Sequence, residues 1–157
     1  FFTVYGPWGR PDMAPMIFAD AILNQKPLKV FNFGEMKRDF TYIDDVVEAI
    51  IQCCKKPATS DISSDYQNIT SDRSFAPYRI FNIGNNQPVN LIDFITTLED
   101  ELGLKAIKNF VEMQQGDVQI TSSDIRNIEE WINFSPKTSF QSGISKFARW
   151  YKSYYKY

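Results

Sequence analysis

Along this sequence the hydrophobic period keeps switching between strand-like alternation and helical spacing, and that switching sets the fold class. Phe2 to Tyr5 is aromatic, β-branched, β-branched, aromatic, a run that suits a covered strand rather than an exposed terminus. Gly6-Pro7-Trp8-Gly9-Arg10-Pro11 then forms a turn, and Met16, Ile17, Phe18 and Ile22 give a broad apolar face to a helix expected from Met13 to Asn24. Leu28 to Phe33 reads as a short strand ended by Gly34. Arg38 to Ile43 alternates like another strand, and Asp44 is placed to cap a helix carrying Val46, Val47, Ile50, Ile51 and Cys54 at helical spacing before Pro57.

Lys56 to Tyr78 is polar and without a sustained period, and at that length it is expected to be a mobile loop. "YRIFNIG" reads as a strand closed by Gly84. Asn90 is placed to cap a helix with Leu91, Ile92, Phe94, Ile95, Leu98 and Leu102 on one stripe, ended by Gly103. "AIKNFVEM" gives another strand, Asp124 starts a short helix through Trp131, and a last helix from Ser139 places Phe140, Ile144, Phe147, Tyr151 and Tyr154 on one face. Alternating strands and helices favour an α/β layout. No strand is followed by a G-x-G-x-x-G turn, so the parallel sheet is expected to be incomplete.

Composition removes several classes of function. The 17 basic and 19 acidic residues are mixed along the chain, which leaves no electrostatic footprint for nucleic acid or an anionic membrane. There is no His, which excludes Ser-His and Cys-His nucleophile pairs. Cys53 and Cys54 are neighbours on a helix and point in different directions, so they read as buried small hydrophobes rather than a disulfide or metal pair. No stretch approaches the length of a transmembrane helix. Aromatic residues make up 15% of the chain, but they fall at helical or alternating positions, which fits core packing better than base stacking.

Three short stretches are candidates for chemistry, each with an ordinary structural alternative. In "KRDFTYIDD", Arg38 is either a surface charge or a phosphate clamp, since a guanidinium fork matches phosphate oxygens and each charge-assisted bond is worth about 1.5–3 kcal/mol. In "YRIFNIGNNQPVNL", Asn82 stands at an expected strand end, where α/β sheets bind ligands, or in a plain connecting loop. In "MQQGDV", the Gly-Asp pair is turn chemistry, and Asp117 could equally accept hydrogen bonds from a sugar hydroxyl.

Taken together and in order, "FFTVYGPWGRPDM", "VFNFGEMKRDFTYIDDVVEAI", "YRIFNIGNNQPVNLIDFI" and "MQQGDV" resemble the C-terminal half of the extended short-chain dehydrogenase/reductase family of nucleotide-sugar epimerases and dehydratases, most closely UDP-glucuronate 4-epimerases. The resemblance implies a cytoplasmic, NAD-dependent isomerase of polysaccharide pathways. In such enzymes a Rossmann half binds NAD and the other half, here residues 1–157 with the last elements of the Rossmann core, closes over the UDP-sugar. Hydride leaves sugar C4 for NAD and returns to the other face of a 4-keto intermediate. The family's Tyr-x-x-x-Lys pair and glycine fingerprint are not in this sequence, so the resemblance implies a missing N-terminal half and an isolated chain without turnover.

Residue by residue, the resemblance puts Phe1 and Phe2 near the nicotinamide and Thr3 against the sugar or phosphate. Val30 and Phe31 match the segment whose backbone reads uracil. Arg38 would grip the diphosphate, with Asn82 nearby and Asp117 on the uridine ribose. Gln114 stands where many relatives carry an Arg. Arg10 is the candidate partner of the glucuronate carboxylate, and a turn-surface Arg is its alternative. The full-length family member would be a homodimer candidate. Two competing readings remain: a stand-alone or decayed UDP-sugar-binding module without catalysis, and half of a UDP-sugar decarboxylase or dehydratase. An apolar surface where the lost half would sit favours a fragment over an evolved module.

Overall fold

The computed structural model describes residues 1–60 and 70–157. In chain order the elements are β1 (Thr3–Tyr5), α1 (Ala14–Leu23), β2 (Pro27–Val30), β3 (Lys37–Tyr42), α2 (Ile43–Lys55), β4 (Pro88–Asn90), α3 (Leu91–Leu102), β5 (Ile107–Phe110), α4 (Arg126–Ile132) and α5 (Phe140–Tyr155). They form a mixed α/β fold with two small sheets. β3 lies between β1, to which it is parallel, and β4, to which it is antiparallel; β2 and β5 make a separate parallel pair.

Strand alternation on β1 and β3 divides the interior in two. Tyr5, Phe40 and Tyr42 enter a core shared with α1, α3 and α5, whereas Val4 packs with Val46, Ala49, Ile83, Ile125 and Ile128 below α2 and α4. Phe94 of α3 is fully buried at the centre of the larger core. Its ring stacks on Phe40 at 4.6 Å between centroids and meets Phe18 of α1 edge-on at 5.7 Å. One aromatic thus joins α3 to α1 and β3, two of the elements that frame the cleft described below.

Local chemistry accounts for most boundaries. Pro15 sits in the first turn of α1, where its missing N–H costs nothing. Ser139 caps α5 by accepting from the Ser142 N–H at 3.3 Å. Two caps differ from expectation. α2 begins at Ile43 and Asp44 lies inside its first turn, where a carboxylate favours the helix dipole without capping it. Asn90 precedes α3 as expected, but its amide donates to Asp93 Oδ2 at 2.9 Å instead of accepting from the backbone.

Three expected strands are shorter or absent, among them the run from Ala106 to Met113, which pairs only over Ile107–Phe110. The run from Leu28 pairs only to Val30; Phe31–Gly34 is a tight turn in which Asn32 and Phe33 both adopt left-handed backbone angles, closed by Glu35 N–H donating to Asn32 O at 2.8 Å. Tyr78 to Gly84 forms no strand: among the described residues of this run only Arg79 makes a β-bridge, to Arg73, and Gly84 is a bend. A strand requires a partner, and Ile83 of this run is instead held by burial in the smaller core. The cysteines also differ: Cys53 is half-buried and Cys54 exposed, because the apolar stripe of α2 is wider than the surface it packs on. The expected mobile loop over 56–78 falls partly on residues 61–69, outside those described. No described helix is long and apolar enough to cross a membrane.

Candidate functional site

A cleft of about 530 Å³ opens between α1, β2 and β3, within the range usual for small-molecule sites. Its walls are mainly apolar, with Ile17, Phe18, Leu28, Phe31, Met36 and Phe40 among them. Four charged residues line it, Asp12, Lys29, Arg38 and Asp117, and of these Arg38 and Asp117 are ion-paired with each other.

Arg38 reaches the cleft because it shares a face of β3 with Phe40. Its Nη2 donates to Asp117 Oδ1 at 2.8 Å, while Nη1 donates to the carbonyls of Lys37 at 2.9 Å and Gln119 at 3.1 Å. The side chain is 16% exposed and that of Asp117 37%. Asp117 closes a turn in which its N–H donates to Gln114 O at 3.1 Å, with Gly116 at φ +84°, a position that favours glycine. The same Oδ1 that meets Arg38 also accepts from Val118 N–H at 2.8 Å.

Of the residues singled out in the sequence, the structure brings Thr3, Phe31, Arg38 and Asp117 to this cleft. The others lie elsewhere. Val30 is fully buried, and its carbonyl accepts from Val111 N–H at 3.0 Å. Gln114 is exposed and contributes its carbonyl to the turn before Asp117. The Asn82 amide donates to Asp124 O at 3.3 Å. Phe1 and Phe2 are exposed. Arg10 forms a two-pronged exposed pair with Asp12, at 2.9 and 2.7 Å, which raises the arginine's pKa and lowers that of the carboxylate through their shared hydrogen bonds. Asp12 itself lines the cleft, so Arg10 stands one contact behind the wall.

Sequence reasoning missed the residue next to Arg38. Asp39 points to the opposite face of β3 and is fully buried. Its carboxylate accepts from Asn85 N–H at 3.2 Å, Asn86 N–H at 3.1 Å, Ser123 N–H at 3.0 Å and the Ser123 hydroxyl. A buried carboxylate without such donors would be costly, so these bonds are a condition of the fold. Gly84 is part of the arrangement: a Cβ there would lie 1.7 Å from Ser123 Oγ and 3.0 Å from Asp39 Oδ2. The signal was present in "KRDFTY", where strand alternation places Asp39 beside Thr41 and away from solvent-reaching Arg38.

Chemically, a guanidinium and a carboxylate at the rim of an apolar cleft can hold an anion and a hydroxyl-bearing ring together. Among the described residues no cluster of acidic or cysteine side chains could hold a metal ion.

The mixed α/β fold and the apolar cleft beside β3 define an α/β domain with a cleft of small-molecule size, and comparison with known proteins gives its family. Residues 1–84 match the NAD dependent epimerase/dehydratase family, and the chain belongs to that family. Protein CapI of Staphylococcus aureus is 47% identical over 156 residues, covering 99% of this chain and 47% of that protein. A probable UDP-glucuronate 4-epimerase of Rhizobium meliloti is 43% identical over 157 residues, covering 99% of this chain and 46% of its own length. Among solved structures, MoeE5 in complex with UDP-glucuronic acid and NAD superposes with a TM-score of 0.81 at 26% identity, covering 98% of this chain and 46% of the other. The UDP-glucuronic acid 4-epimerase of Bacillus cereus, in complex with UDP-glucuronic acid and NAD, gives 0.78 at 32% identity, covering 98% and 44%. The chain thus spans about half the length of the curated relatives it matches.

Proposed function

We propose that this chain is the UDP-sugar-binding part of an NAD-dependent nucleotide-sugar 4-epimerase, with UDP-glucuronate as substrate. The carrying observation is the Arg38–Asp117 pair at the rim of the apolar cleft. A diphosphate would take the place of one carboxylate on the Arg38 fork, the freed Asp117 would accept from ribose hydroxyls, and the apolar walls would cover the base. Relatives named as UDP-glucuronate 4-epimerases support the choice of sugar.

In this reading residues 1–157 correspond to the family's C-terminal half, carrying the substrate region and the last elements of the Rossmann core. The chain's own residues do not fit NAD by themselves. The sequence has no glycine-rich phosphate turn, and Phe1 and Phe2, assigned to the nicotinamide, are exposed. Bound NAD would supply the hydride acceptor; this chain would bind and orient the UDP-sugar. A partner carrying the NAD-binding half is supported by the apolar ridge of α2, where Val47, Ile50 and Ile51 are 45%, 43% and 43% exposed. Such a ridge also favours the fragment over a stand-alone module.

Calorimetric titration of the purified chain with UDP and UDP-glucuronate tests the proposal. Binding of both, without conversion of UDP-glucuronate when NAD is added, is the expected result. Absence of UDP binding would overturn the assignment of the cleft, and turnover by the chain alone would overturn the division of labour.

A further inference from the structure

We infer that Asp39 and Thr121 are positioning residues for the Arg38–Asp117 pair, acting from the side of β3 opposite the cleft. Residues 117–123 form no named strand, yet they run parallel to β3 and must carry Asp117 to Arg38. Two backbone bonds start the alignment: Lys37 N–H donates to Gln119 O at 2.9 Å, and Thr121 N–H donates to Lys37 O at 3.1 Å. A regular parallel ladder would next use the Asp39 N–H on a backbone carbonyl. Here that N–H donates to the Thr121 hydroxyl at 3.1 Å, and the Asp39 carboxylate takes the Ser123 N–H and hydroxyl. Side chains therefore complete the register that the backbone begins.

Register decides the cleft. A slip of one residue shifts a strand by about 3.3 Å and turns its side chains to the other face. The Arg38–Asp117 contact is 2.8 Å, so such a slip would carry the carboxylate out of hydrogen-bonding range. The same Asp39 carboxylate anchors Asn85 and Asn86, so the loop after Gly84 and the segment ending in Ser123 are fixed by one buried group. Asp39 touches nothing in the cleft. Its effect reaches a ligand through Asp117 and Arg38, and in its ligand arm this inference rests on the UDP reading above.

Asp39→Asn would set an amide NH2 against backbone donors and is prone to misfold, so the decisive variants are Thr121→Val and Thr121→Ser. Side-chain nitrogen NMR of Arg38 reports the ion pair without any ligand. We expect separate, restrained guanidinium signals in the native chain and in Thr121→Ser, and averaged signals in Thr121→Val and Asp117→Asn. Titration with UDP should show Thr121→Val about tenfold weaker, Thr121→Ser near native, and no further loss when Thr121→Val is added to Asp117→Asn. A general loss of packing would instead add to the Asp117→Asn effect. Restrained Arg38 signals in a folded Thr121→Val chain, or additive losses in the double variant, would overturn the inference. If the native chain bound no UDP, the UDP reading would fall, and the Arg38 signals would still decide the positioning role.

Discussion

Arg38 and Asp39 are adjacent residues with opposite surroundings, and their consequences for ligand and fold separate accordingly. Arg38 faces the cleft with a donor set that a diphosphate can compete for, so Arg38→Met is expected to weaken UDP binding by about 10- to 100-fold, as loss of one charge-assisted contact implies. Its fold should persist, because the side chain lies at a cleft rim. Calorimetry with circular dichroism checks both halves of that statement. On the other face, Gly84→Ala would drive a Cβ into Ser123 Oγ, only 1.7 Å away, and the expected cost is about 1–3 kcal/mol in urea unfolding. At this scale the sequence showed what Arg38 and Asp117 were suited to, because their chemistry is exposed in short motifs. The partnership of Asp39 with Asn85, Asn86 and Ser123, the last 84 positions further along, was hidden, since tertiary hydrogen bonds leave no periodicity to read.

Elements were legible where a helix carried a stripe long enough to define its own face. α3 and α5 stand where their stripes placed them, and α1 differs from expectation by one residue at each end. Extended runs were harder, because an apolar run does not say whether a partner strand exists, as Tyr78 to Gly84 shows. Nor did sequence reveal how α3 is joined to β5. Glu99 of α3 is 3% exposed and accepts from Ala106 N–H at 3.0 Å, from Lys105 Nζ at 3.2 Å and from Lys108 Nζ. Burial pushes the Glu99 pKa up, but the bonds from Lys108, Ala106 and Lys105 outweigh it and hold the carboxyl below its usual value. Because the folded pKa is depressed, this contribution to stability is complete above the unfolded value of about 4.3 and is lost as pH falls through the folded one. The urea midpoint should therefore drop on acidification below about pH 4.3, and less steeply in Glu99→Gln. At neutral pH that variant should be less stable by about 1–3 kcal/mol, because Lys108 loses its charged partner. Equal acid slopes in the two proteins would show that other carboxylates govern the transition.

For the whole molecule, the two cores are unequally enclosed. The larger is covered by α1, α3 and α5, whereas α2, above the smaller, buries Val46 and Ala49 yet leaves Val47, Ile50 and Ile51 more than two-fifths exposed. Water-facing apolar side chains contribute little to this chain's own stability, so replacing Ile50 and Ile51 by Lys should alter unfolding by only about 0.5 kcal/mol per site. The same ridge, if it is the seat of an NAD-binding half, would then carry interface energy instead. Co-expression of this chain with the glycine-rich half of a UDP-glucuronate 4-epimerase should give a complex that converts UDP-glucuronate with NAD. With Ile50→Lys and Ile51→Lys the chain should still fold and still bind UDP, because the cleft lies against α1, β2 and β3, but complex and turnover should be lost together. That combination matters because it separates the two jobs assigned to the chain: gripping a UDP-sugar, which its own side chains define, and delivering the sugar to a hydride acceptor, which the α2 ridge would make possible. A complex that forms and turns over normally with both lysines in place would move the interface elsewhere and leave α2 as an apolar surface without that role.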